Sequence, residues 1–251
     1  MYLTLILILM YLPIAVVVLY SFNGNTSRFP NEFTGFSLRN YQALFKDTKG
    51  LVGALENSLV LAGLSCGISM VIGTLGAVGM AGRKFKLQGA LENMAILPIM
   101  IPEIILGMAF LAVFTAVGFK FGMLTLVLAH VTFCTPYIFI IVKGRLAGMD
   151  PALAEASRDL GASPARTFFE ITLPLIVPAV LSGVMLAFAM SMDDFVISFF
   201  VTGATTTPLP LKIYSSVKTG VSLQVNALCT LMLAVVAILM AARQLLLNKE
   251  P

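Results

Sequence analysis

Apolar positions in this chain come in long blocks, without the alternation that marks half-buried strands. Six runs of roughly 20 residues, near 2–22, 57–81, 93–117, 122–142, 175–201 and 223–245, carry almost no charge. A helix of about that length spans the hydrocarbon core of a bilayer. The pattern predicts an all-α integral membrane protein of six transmembrane helices, with 1–251 as one membrane domain. Three polar stretches punctuate it. The loop 23–56 contains FSLRNYQALF (Phe36 to Phe45), whose apolar residues suit a short helix lying at the membrane surface. The segment 203–222 is rich in Thr and Pro. Both suit a landing surface for a partner and both suit simple connectors. The third stretch, 143–174, has a helical pattern of its own.

Composition agrees with the pattern. Only 11% of residues are charged, against about a quarter in soluble domains, and mean hydropathy is +0.97. The net charge of +4 is spread over loops and gives no case for nucleic-acid binding. Cys66, Cys134 and Cys229 each fall in a predicted span, which implies no disulfide framework. There is no Trp, so Tyr2, Tyr20, Tyr41 and Tyr214 supply the polar-tipped aromatics near span ends. The first run lacks a basic n-region and a small-residue cleavage site, and reads as a retained span. With the chain starting inside, the loops after the second, fourth and sixth spans hold Arg83, Lys84, Lys86, Lys143, Arg145, Arg158, Arg166, Arg243 and Lys249, nine of the sixteen basic residues. The opposite side holds Arg28, Arg39, Lys46, Lys49, Lys120, Lys212 and Lys218, so the positive-inside bias is weak.

Within 143–174, Asp150 followed by Pro151 predicts a capped helix start, and Gly161 a left-handed stop. Leu153, Ala156 and Leu160 share one stripe, while Glu155, Arg158 and Asp159 face elsewhere. Ser163-Pro164 opens a second short helix. The expected product is a helical knob with a narrow apolar edge, a shape that enters a partner's groove. The spacing here is Glu155-Ala156-Ser157, three residues, Gly161, nine residues, Ile171, one residue, then Leu173-Pro174. It resembles the EAA signature of the membrane subunits of ABC importers, with Ser157 where the pattern has a second Ala, a small residue that packs alike. The resemblance implies a type I ABC importer permease fold. In it, Glu155, Ala156, Ser157, Gly161, Ile171, Leu173 and Pro174 dock onto an ATP-hydrolysing subunit.

Ionisable groups inside the spans are costly and point to function. Glu103 lies in the third span, just after Pro98 and Pro102, where two missing backbone donors predict a break or kink. Such breaks in a membrane are tolerated where they line a wet cavity, and transporter sites often sit there. Asp193 and Asp194 lie in the fifth span, and no span interior holds a Lys or Arg to pair with these acids. Three uncompensated carboxylates ask for a cation. On a continuous helix Asp194 shares a face with Ser191 and Ser198, and Asp193 is turned away by about 100°. His130, the single histidine, has no ligand spacing around it and reads as a hydrogen-bonded core residue; no metal site is expected. The methionines read as packing. No phosphate-binding G-x-x-x-x-G-K-[ST] occurs, nor any nucleophile, base and orienter set, so no cofactor and no catalytic residue is expected in this chain and its energy must come from a partner.

A narrower resemblance rests on HVTFCTPY (His130 to Tyr137), SMDDF (Ser191 to Phe195), FVTG (Phe200 to Gly203), PLKIYSSVKTGVS (Pro210 to Ser222) and VNAL (Val225 to Leu228). These stretches are similar to the second permease subunit of spermidine/putrescine ABC importers. That family implies a bacterial inner-membrane, multi-pass location and a heterodimer with a sister permease. It further implies two ATP-binding subunits that carry the ATP, and an extracytoplasmic polyamine-binding protein. It places polyamine passage on Asp193 and Asp194; Ser191, on the face that Asp194 shares, is expected in the same path by its helical spacing. Glu103 stands where relatives commonly carry Asp. The family also implies a short charged tail ahead of the first span, within which this sequence almost begins. The rivals are an importer of ferric iron or an oxyanion, and a stand-alone ion-coupled transporter.

Overall fold

The computed structural model describes residues 2–27, 32–47, 50–81, 86–220 and 222–247. Arg28, Lys49, Arg83, Lys84 and Lys249, counted above for orientation, lie outside them. Among the described residues the regular structure is helical: α1 (Tyr2–Ser21), α2 (Arg39–Lys46), α3 (Leu51–Met80), α4 (Gln88–Met100), α5 (Glu103–Val117), α6 (Met123–Ala147), α7 (Pro151–Asp159), α8 (Pro164–Thr167), α9 (Leu173–Asp193), α10 (Val196–Val201), α11 (Leu209–Thr219) and α12 (Leu223–Leu247). A π-turn, Phe168–Thr172, joins α8 to α9, so that Pro164–Asp193 runs as one 30-residue apolar helix. Five helices are long and apolar enough to cross a membrane, and α4 with α5 makes a sixth crossing if the bent pair is one span.

The chain forms two compact units, one from Met1–Glu56 with Leu211–Pro251 and one from Asn57–Pro210. In the first, α1 and α2 pack on α12. The α2 helix matches the amphipathic FSLRNYQALF segment, and its anchor is polar: the Asn40 side chain donates to Ser21 O at 3.0 Å and to Asn23 O at 2.8 Å. The α1 helix is apolar on every side and almost wholly exposed in the isolated chain, which suits lipid or partner helices and not water.

In the second unit α6 is the central post, the most buried of the long helices. It packs on α9, α4 and α10. Small residues let the backbones close up, the usual device of membrane helices. A Cβ placed on Gly183 of α9 meets the Ile138 Cα at 3.1 Å, and one on Gly73 of α3 meets the Thr135 carbonyl at 3.0 Å. Lys143 at the far end of α6 pairs with Glu92 of α4 at 2.7 Å.

Two spans depart from unbroken rods. The third is two helices bent by 105°, with the break at Ile101 and Pro102, both in extended conformation. Proline there removes a donor and pushes the preceding residue out of the helical region. The fifth, predicted as one helix over 175–201, is interrupted at Asp194, whose ψ is 119°, and resumes at Val196. No proline or glycine marks that break. Its cause is the Asp194 side chain, which turns round to cap the next helix.

Candidate functional site

Asp194 Oδ1 accepts from the Ile197 N–H at 3.2 Å and Oδ2 from the Ser198 N–H at 2.8 Å. A short side-chain acceptor competes with the helix ladder and starts a new helix, which is what an N-cap does. Asp194 therefore does not share a continuous helical stripe with Ser191 and Ser198, as the sequence pattern suggested. Tertiary contacts gather the three instead. His130 of α6 is fully buried. Its Nδ1 is 2.8 Å from Ser191 Oγ, and its Nε2 is 3.1 Å from Ser198 Oγ and 3.4 Å from Asp194 Oδ2. The histidine is hydrogen-bonded in the core, as expected, but it faces a carboxylate that sequence distance hid.

The two breaks meet at a cavity of about 190 Å³ lined by Glu103, Asp193, Asp194, Phe133 and Tyr137, among others. Glu103 opens α5 directly after the first break, and Asp193 closes α9 directly before the second. Both side chains are exposed, and among the described residues neither has an ion-pair partner. The end of α9 adds the negative pole of its dipole, through carbonyls that no longer have helical partners. His130, Phe133 and Tyr137 stand on α6 three and four residues apart, so one face of that helix serves both the buried knot and the cavity wall. Aromatic rings beside carboxylates make a surface for an ammonium group. Ser191, read from sequence as part of this surface, is buried in the histidine knot. Phe133 and Tyr137 were missed as site residues, although their helical spacing from His130 was legible.

The polar stretch 143–174 folds as its sequence dictates. Asp150 Oδ1 accepts from the Ala152 N–H at 2.9 Å, and Ser163 Oγ from the Arg166 N–H at 3.3 Å. Gly161 has φ +83°. Its N–H donates to Arg158 O at 2.8 Å and that of Ala162 to Ser157 O at 3.1 Å, the paired bonds of a glycine-closed helix end. Leu153, Leu160 and Phe169 stand 45%, 89% and 64% exposed. Glu155, Ala156, Gly161 and Pro174 are exposed too, and Ile171 and Leu173 are half-buried. Ser157 differs from a plain small residue. It is buried and its Oγ lies 3.0 Å from Thr167 Oγ1, which ties α7 to α8.

Residues 69–249 match the family described as "Binding-protein-dependent transport system inner membrane component". The chain belongs to this family. It is a multi-pass inner-membrane transport protein. The permease is 39% identical over 96% of its length to the "Spermidine/putrescine transport system permease protein PotC" of Haemophilus influenzae, covering 93% of that protein. It is 40% identical over 91% of its length to the "Putrescine transport system permease protein PotI" of Escherichia coli, covering 83% of that protein. Among solved structures, a bacterial ABC transporter involved in import of the acidic polysaccharide alginate superposes with a TM-score of 0.74 at 11% identity, over 100% of this chain and 94% of that one. A second alginate transporter structure, in complex with a periplasmic protein, gives 0.69 at 18% identity over 95% and 89%. At such identities these neighbours establish the shared importer-permease fold.

Proposed function

We propose that this permease carries polyamines such as spermidine and putrescine into the cytoplasm, as one membrane subunit of an ATP-driven importer. The observation that carries the proposal is the cavity between the two helix breaks. Two unpaired carboxylates, three aromatic rings (Phe133, Tyr137 and Phe195) and a helix C-terminus converge there, and among the described residues no basic side chain lines the cavity. A flexible polycation shedding water finds several moderate contacts in such a place, which lets it enter and still leave. An oxyanion is repelled by the two carboxylates. The names of the relatives agree with that chemistry.

The energy comes from outside the chain. The exposed Leu153, Leu160 and Phe169 of the knob would seat in a groove of an ATP-binding subunit, two copies of which would serve this permease and a sister permease. ATP binding brings those subunits together and moves the knob. Pro164–Asp193 is continuous from the knob to the cavity edge, so it can transmit the movement to the break at Asp194 and alternate the opening of the path. An extracytoplasmic binding protein would deliver the cargo.

The test is uptake of radiolabelled putrescine and spermidine by the reconstituted complex, with cadaverine and ferric citrate as competitors. Competition by cadaverine alone supports the reading, and competition by ferric citrate alone overturns it. Uptake that continues without the ATP-binding subunits makes this a stand-alone ion-coupled transporter.

A further inference from the structure

The hydrogen-bonded knot around His130 separates two aspartates that are neighbours in sequence. Asp193 is exposed, whereas the Asp194 side chain is only 5% exposed and accepts two backbone N–H bonds. An ionised carboxylate is tolerated in so dry a place only when its oxygens are satisfied, and His130 provides what the backbone does not. The carboxylate accepts and never donates, so the proton of a neutral imidazole belongs on Nε2, facing Asp194 and Ser198. Nδ1 is then the acceptor for the Ser191 hydroxyl at 2.8 Å. Ser191 lies on α9 and Ser198 on α10, so the ring spans the break and pins both sides of it to α6.

We infer that His130 is a positioning residue for transport: it locks the elbow between α9 and α10 and withdraws Asp194 from the path, leaving Asp193 and Glu103 to meet the cargo. The two aspartates thus have different tasks, one electrostatic and one architectural. The transport consequence rests on the cation-path reading above, while the geometry of the lock does not.

Thiol accessibility separates these tasks. In an assembled complex with Cys66, Cys134 and Cys229 replaced by Ala, Asp193→Cys and, with Asp194 left in place, Ile197→Cys are probed with a positively charged methanethiosulfonate. Ile197 is 2% exposed and its N–H is one of the two that Asp194 holds, so a thiol there is reached only when the knot opens. Asp193→Cys is expected to react at least about ten-fold faster. Adding His130→Leu removes the contacts to both serines and should raise the rate at 197 about ten-fold. His130→Gln, whose amide keeps one donor and one acceptor, should restore protection. If His130→Leu fails to assemble, His130→Asn, too short to reach both serines, takes its place.

Putrescine uptake supplies the second readout. With both aspartates intact, His130→Leu should lower the maximal rate about ten-fold while KM changes less than about three-fold, and His130→Gln should recover most of the rate. Equal reactivity at 193 and 197 in the presence of His130 overturns the inference. So does protection at 197 that ignores His130, or a His130→Leu defect confined to KM. If the labelling pattern holds but no polyamine is carried, the lock stands and the cargo assignment falls.

Discussion

Replacing Gly161 by Val tests whether the knob couples to ATP hydrolysis through its backbone geometry. Gly161 sits at φ +83°, and no atom lies within 4 Å of a Cβ built there. The new side chain therefore meets no neighbour within the chain, and the cost is conformational. Holding an L-residue in the left-handed region costs about 1–2 kcal/mol, and a β-branched residue lies at the upper end or beyond. Releasing the strain instead forfeits the bonds from the Gly161 and Ala162 N–H groups, each about 0.5–1.5 kcal/mol. Either route costs about 2 kcal/mol and depopulates the docking geometry about 30-fold. Binding-protein-stimulated ATP hydrolysis, normalised to the ATP-binding subunit that co-purifies, reads this out in a series. Activity should fall in the order Gly, Asn, Ala, Val, because Asn visits the left-handed region most readily after Gly. If Asn is as damaging as Val, the glycine is required for close contact with a partner and the φ argument fails. Normal coupling in Gly161→Val would remove the docking assignment altogether.

Neutralising the cargo acids, Asp193→Asn and Glu103→Gln, should each raise the KM for putrescine uptake about ten-fold or more, as for loss of a charge-assisted contact; unchanged uptake in the double variant makes both residues structural. Ser157→Ala strands the buried Thr167 hydroxyl and should weaken assembly with the ATP-binding subunits by about 1 kcal/mol, whereas adding Thr167→Val should recover part of that loss in a double-mutant cycle. Gly183→Leu forces a side chain against the Ile138 backbone and should destabilise the solubilised protein by about 1–3 kcal/mol in thermal unfolding, while Gly79→Ala, with nothing within 4 Å, should not.

What the sequence determined by itself was whatever depends on neighbours along the chain. The long apolar blocks fixed the spans, since a bilayer selects on local hydropathy. Asp150-Pro151, Gly161 and Ser163-Pro164 drew the outline of the knob, because caps and left-handed stops are settled by a few adjacent residues. Pro98 and Pro102 announced the first break for the same reason. The second break had no such sign. Nothing adjacent says that Asp194 will leave its helix; it does so because its carboxylate finds backbone donors ahead of it and His130, 64 residues earlier in number, across the interface. Ser157 looked interchangeable with alanine until folding set Thr167 opposite its hydroxyl. Two aspartates that read as one acidic pair became an exposed charge and a buried strut. The reason is physical: the cost of a charge in a membrane protein is decided by the donors and the water that reach it, and only the packing of α6 against α9 and α10 decides which those are.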